Sequence, residues 1–187
     1  MILTNFANMT DRKLLSSEMG RVSPEQYRSL EPSGIVVVLD NVRSAHNVGS
    51  VLRSCDAFKI DKVFLCGICA TPPSAEIHKA ALGAEDSVPW EHVDDTMDAV
   101  RRLRAEGYRI VSIEQTEHSV SLADYRRSED RLAVILGNEV DGVRQDVVDE
   151  SDFTLEVPQW GTKHSLNVSV CAGVILWHCR LTGGREL

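Results

Sequence analysis

Cys66 and Cys69, at C-x-x-C spacing, are the first residues in this chain whose types and separation suggest chemistry. Directly after an apolar strand, such a pair suits a redox dithiol if a sulfur caps the following helix. Here Pro72-Pro73 delays that helix, so the pair reads as loop and core thiols. Zinc would need a second ligand pair at suitable spacing, and the other cysteines and histidines supply none, so no metal is expected. Ser, His and Asp occur without a G-x-S-x-G elbow, and His164 beside Ser165 makes no dyad, because adjacent helical residues do not face each other. Neither a Walker loop nor a G-x-G-x-x-G is present. Three polar segments remain, residues 41–53, 137–142 and 157–167, each at a strand end and ahead of a helix.

The elements that position them are legible from pattern. Ile35-Val36-Val37-Val38-Leu39-Asp40 is a continuous apolar run ending in a carboxylate, as in a buried parallel strand. Val48, Val51, Leu52, Cys55 and Phe58 then form one stripe at helical spacing, with Asn47 expected as the cap and Arg53 nearly opposite the middle of the stripe. Further strands are expected at 62–66, 108–113, 131–136 and 153–157, and helices at 76–82, at 94–106 and from Val143, with a short apolar piece at 88–90. This alternation predicts an α/β domain, a mainly parallel sheet with helices on both faces. Ligands of such sheets sit beyond the carboxyl ends of the strands. The loops after Leu39, Ile113, Leu136 and Val157 are therefore the candidate site.

The last run, from Val168 to Trp177, is apolar almost all the way round. A helix of that kind must be covered on every side, so two neighbours are expected, one of them from a second subunit. The polar loop ahead of it places Ser165 near its first turn, where unpaired N–H groups attract an acceptor or ligand.

The totals set bounds. A chain of 187 residues suits one domain with a real core, and 43% hydrophobic with 26% charged residues is ordinary for a globular protein. No run of apolar residues is long enough for a membrane span, and the N-terminus lacks a signal peptide's basic region and apolar core. Five cysteines, an odd number, suggest reduced thiols and a cytoplasmic protein. The net charge of -8 weighs against nucleic-acid binding unless positive charge is local. Residues 1–33 read as an N-terminal arm of short helices or partly ordered chain.

Taken together, Asn47-x5-Arg53, Leu136-Gly137-Asn138-Glu139-x2-Gly142 and Val157-Pro158-x2-Gly161-x3-Ser165-Leu166-Asn167-Val168-Ser169 resemble the motifs of the SpoU/TrmH family, over roughly residues 34–180. Its members are SPOUT-class RNA ribose methyltransferases. The resemblance implies a methyltransferase domain at 34–187, an α/β sheet whose C-terminal part is a trefoil knot, and a homodimer through the C-terminal helix. It implies S-adenosyl-L-methionine as cofactor, held by the positions matching Glu114, Leu136, Gly137, Val157, Gln159, Ser165 and Leu166. It implies catalytic roles at Arg53, Asn47, Glu139 and Asn167, with Arg53 acting on the ribose 2′-hydroxyl of a tRNA or rRNA. A guanidinium keeps its proton, so Arg53 either positions and polarises the hydroxyl or works with an RNA phosphate. Positive charge for RNA would come from Arg43, Arg53, Lys79 and Lys163, pooled across two subunits. Gln159 stands where the family usually has Met, and Trp160 follows it. Two other readings stand beside this one: an inactive knotted module that binds RNA or cofactor, and an α/β enzyme acting on a small molecule.

Overall fold

In the computed structural model, which describes residues 11–20 and 22–183, a short 3₁₀ turn at Ser16–Glu18 precedes helix α1, Pro24–Ser29. A capping box fixes the start of α1: the Ser23 side chain accepts from the Gln26 N–H, and the Gln26 side chain accepts from the Ser23 N–H. Tyr27, buried on this helix, turns its O–H to the carbonyls of Ile60 (3.0 Å) and Cys55 (3.2 Å), which ties α1 to the segment 55–60. The first ten residues of the expected arm, and residues 184–187, lie outside the described residues.

Strand β1 (Ile35–Asp40) leads into α2 (Ala45–Ala57), β2 (Lys62–Cys66), α3 (Ala75–Ala81), α4 (Ala84–Ser87) and β3 (Trp90–Val93). Helix α5 (Thr96–Ala105), β4 (Arg109–Ile113), β5 (Val120–Ser121), β6 (Leu132–Leu136), α6 (Gln145–Asp149), β7 (Phe153–Glu156) and α7 (Val168–Thr182) complete the chain. The strands form one sheet in the order β3-β2-β1-β6-β4-β7-β5, and every described pairing between them is parallel. The centre is covered twice, so β1 and β6 are buried along their whole length. Ile35, Val37 and Leu39 pack with residues of α2, α3 and α7 on one face. Val36 and Val38 pack with α5 and α6 on the other.

The expected strands are present with ends shifted by a residue. The apolar piece at 88–90 opens β3, an edge strand whose half-exposed residues give no clear alternation. The two-residue β5 extends the other edge beside β7 and is too short to leave a pattern. Helices α3, α5 and α6 begin at Ala75, Thr96 and Gln145, each one or two residues from the expected start at 76, 94 or Val143, and the caps of two further helices differ from expectation. The cap of α2 is Ser44, which accepts from the Asn47 N–H at 3.2 Å, and Asn47 is buried inside the first turn. The apolar stripe begins only at Val48, whereas backbone hydrogen bonding begins earlier. Helix α7 is capped by Asn167, whose side-chain oxygen accepts from the Ser169 and Val170 N–H groups, so Ser165 lies in the loop ahead of it.

Gly49 is required where α2 meets α3: a Cβ there would lie 2.6 Å from the Ile77 carbonyl oxygen. Helix α7 has two different sides. Ala172, Ile175, Leu176 and Cys179 are fully buried, whereas Val170, Val174, Trp177 and Leu181 are exposed. Its pattern is apolar all round, but this chain covers only half of it.

Candidate functional site

Beyond the carboxyl ends of β4, β6 and β7 lies a cleft of about 610 Å³. Its first wall is the turn after β6. Gly137 starts it, and only a residue without a Cβ fits, since a Cβ would come within 2.1 Å of the Gly142 carbonyl carbon. Asn138 and Gly142 then exchange backbone hydrogen bonds of 3.0 and 3.2 Å, and the Asn138 side chain accepts from the Val140 and Asp141 N–H groups. The far end of the turn is anchored in the core. Buried Asp40 accepts from the Arg144 N–H at 2.9 Å and from the Thr96 hydroxyl at 2.6 Å.

Glu114, at the end of β4, accepts from the Val143 N–H at 3.0 Å and joins that turn to the second wall. The third wall is residues 157–167. Gln115 and Gln159 both donate to the His164 carbonyl, at 2.8 and 3.3 Å, and hold this loop in shape.

Seven residues expected at a cofactor site, Glu114, Leu136, Gly137, Val157, Gln159, Ser165 and Leu166, all line this cleft, as do Glu139 and Asn167. Asn47 stands just behind. Its side-chain N–H donates to Glu139 at 2.9 Å, and its oxygen accepts from Asn167 at 3.1 Å. One chain of hydrogen bonds thus joins the three polar segments. The loop after Leu39 belongs to it through the backbone alone, since Arg43 and Ser44 each donate an N–H to Glu139 at 3.1 Å.

Partial burial would raise the pKa of Glu139, but the donors from Asn47, Arg43 and Ser44 outweigh it and hold the carboxyl below its ordinary value. A depressed carboxyl contributes stability above its unfolded pKa and loses it as pH falls through the folded one. Glu139→Gln should therefore lower stability by about 1 kcal/mol near neutral pH, modest because the side chain is exposed. The gap from wild type should close on acidification, as thermal melts across the acid range would record. A gap that stays constant there would refute this role for the charge.

The basic candidates lie elsewhere. Arg43, Arg53, Lys79 and Lys163 are all exposed, and none lines the cleft, although Lys163 is on its third wall. Arg53 faces a second depression, between α1, the end of α2 and the α3–α4 connection. The structure of one chain therefore does not bring Arg53 together with Glu139 and Asn167. Sequence reasoning singled out neither Gln115 and Thr116 after β4, nor Val140 and Asp141 at the tip of the turn, nor Cys171 on α7, all of which line the cleft. Gly142 within the second motif was the available signal for the turn.

The C-x-x-C pair does not line this cleft. Cys66 and Cys69 are buried, and burial pushes both thiols up to about 12, far from a reactive thiolate. Cys69 also donates to the Leu39 carbonyl and accepts from the Val42 N–H. Among the described residues no cluster of His, Cys, Asp or Glu could hold a metal ion, and no helix is long and apolar enough to cross a membrane.

The chain is similar to known proteins over most of this fold. The 23S rRNA (guanosine-2'-O-)-methyltransferase RlmB of Nitrosomonas europaea is 36% identical over 162 residues, covering 82% of this chain and 60% of that protein. The mouse (Mus musculus) tRNA (guanosine(18)-2'-O)-methyltransferase TARBP1 is 31% identical over 147 residues, covering 78% of this chain but only 9% of that protein. The chain thus spans less than two thirds of the length of these relatives. The crystal structure of an AdoMet-bound rRNA methyltransferase from Sinorhizobium meliloti superposes with a TM-score of 0.75 at 28% identity, covering 86% of this chain and 61% of that one. The model of the SpoU rRNA Methylase family matches residues 34–177, from the start of the sheet into α7 and through all three walls of the cleft. This chain belongs to the SpoU rRNA methylase family.

Proposed function

We propose that the protein is an S-adenosylmethionine-dependent methyltransferase acting on a ribose 2′-hydroxyl of tRNA or rRNA. One observation carries the reading: the charge of the cleft. Glu114, Glu139, Asp141 and Glu156 line it, and among the described residues no Lys, Arg or His does. Such a lining suits a cofactor with a positive sulfonium and selects against a nucleoside-phosphate cofactor. Leu136, Val157 and Leu166 offer apolar surface for a flat ring system, and the strand-end backbone offers donors and acceptors beside it.

When bound, S-adenosylmethionine supplies an electrophilic methyl group. The residues of this chain must then present the ribose oxygen in line with it, and positioning of that kind contributes several powers of ten in rate. In this reading Glu139, Asn47 and Asn167 form the support that fixes the walls of the site, and Arg53 positions and polarises the 2′-hydroxyl. Arg53 lies outside its own chain's cleft, which supports a homodimer whose exposed α7 face brings a second copy alongside and pools the basic residues of both. The methyltransferase domain would run from residue 34, with the preceding arm docked on it through Tyr27. Insertion of β6 between β1 and β4, and of β7 between β4 and β5, supports a knotted C-terminal passage. Five free cysteines support a cytoplasmic setting.

The deciding experiment incubates the protein with labelled S-adenosylmethionine and separate tRNA and rRNA pools, then maps label by nuclease digestion. Label at a 2′-O-methyl nucleotide is expected. Cofactor binding without RNA labelling at low salt would replace this reading with a non-catalytic binding module.

A further inference from the structure

We propose that Trp160 stacks on a nucleobase of the RNA, one flanking the nucleotide whose ribose is presented to the cleft; this rests on the proposed ribose methylation. Trp160 is 92% exposed, the most exposed large apolar side chain among the described residues, and has no hydrogen-bonding or ring partner there. Tryptophan is normally well buried, with its N–H paired.

The loop does not leave the indole exposed through slackness. Gln159, the preceding residue, is turned inward and bonded to the His164 carbonyl, which Gln115 also holds. With that neighbour fixed inward, the indole is left exposed on the loop that forms the third wall of the cleft. Val140, 81% exposed, is at the tip of the turn that forms another wall.

Charge selects the ligand. A lining with four carboxylates and, among the described residues, no cation gains little from phosphate attraction at the cleft itself; the basic residues lie outside it. Stacking works without ionic attraction, is open to every base, and contributes on the order of tenfold or more in affinity per base. A second copy of the chain has a separate apolar surface on α7, to which Trp160 does not belong.

The test compares full-length wild type, Trp160→Ala and Trp160→Phe. Titration with a short oligoadenylate should quench the fluorescence of wild type, and the part of the quench due to Trp160 should vanish in Trp160→Ala. In methyl-transfer assays with tRNA or rRNA, Trp160→Ala should raise the KM for RNA about tenfold. Its kcat and cofactor affinity should stay near wild type, and Trp160→Phe should recover most of the loss. The ratio of the two KM values should hardly change with salt, because no charge is removed. An unchanged quench and KM in Trp160→Ala would overturn the proposal, as would a shift of that variant to a smaller sedimenting species, which would assign the indole to a subunit contact. If wild type methylates no RNA, the reading of activity fails, and the quench still decides whether Trp160 stacks.

Discussion

Arg53→Ala lowers kcat for RNA methylation by about a thousandfold or more, the upper range for loss of a group acting on the reacting hydroxyl, while S-adenosylmethionine binds as before. The binding half of this expectation comes from the position of the residue, and the rate half from the motif it matches and the proposed dimer. Asn47 and Arg53 share α2, six positions apart, which is about 9 Å along the axis and roughly 120° round it. Asn47 reaches Glu139 and Asn167, so Arg53 is turned away from them and lines none of the cleft. Its removal leaves the cofactor walls intact. Because the side chain is exposed, its removal should also leave the melting temperature within a degree or two of wild type. Arg53→Lys keeps the charge but loses the planar fork and should recover only part of the rate. Equilibrium dialysis with labelled cofactor and single-turnover methyl transfer measure the two quantities separately. Activity that survives Arg53→Ala would remove this residue from the mechanism.

In the proposed dimer, Val174→Asp should convert the protein to a monomer at micromolar concentration and abolish methyl transfer. Val170, Val174, Trp177 and Leu181 are between 39% and 56% exposed and recur at intervals of four, three and four, so they share one side of α7. Val174 is central to the row, and Trp177 beside it leans on Phe58, the residue that caps the end of α2, with ring centroids 5.9 Å apart. The row is therefore continuous with the helix that carries Arg53. A carboxylate placed in an apolar contact must be desolvated with no partner, at a cost of several kcal/mol. In the separated chain Val174 is already part-exposed, so the fold should survive. Sedimentation velocity and a thermal melt together check this; a Val174→Asp protein that remains dimeric would refute α7 as the interface. Mixing Arg53→Ala with Asn167→Ala subunits adds a sharper reading. If Arg53 serves the partner's cleft, half of the re-formed dimers carry one complete site, and about a quarter of wild-type activity returns. If it serves its own chain, none returns.

The sheet was open to reading from sequence because its signals are local. Ile35–Asp40 and Leu132–Leu136 are apolar without a break, which a strand covered on both faces requires and few other elements tolerate. The edges were not open in this way. Trp90–Val93 is half exposed and Val120–Ser121 has only two residues, so their conformation is set by the neighbours they pair with. Ser44 supplanted Asn47 as a cap for a related reason: both residue types can cap, and the side chain of Asn47 is taken up by Glu139 and Asn167.

The sequence by itself determined the apolar strands, the phases of α2 and α7, and the three motifs that imply a methyl donor and an RNA. Tertiary structure alone decided what those motifs do to one another. Asn47 meets Glu139 and Asn167 across separations of 92 and 120 residues, and no pattern within a helix or strand encodes such a meeting. The same holds for Arg53, whose place in the motif order suggested the cleft that its turn of helix denies it within one chain. A motif records which side chains a site needs; only the packing of the whole chain fixes the direction in which each one points.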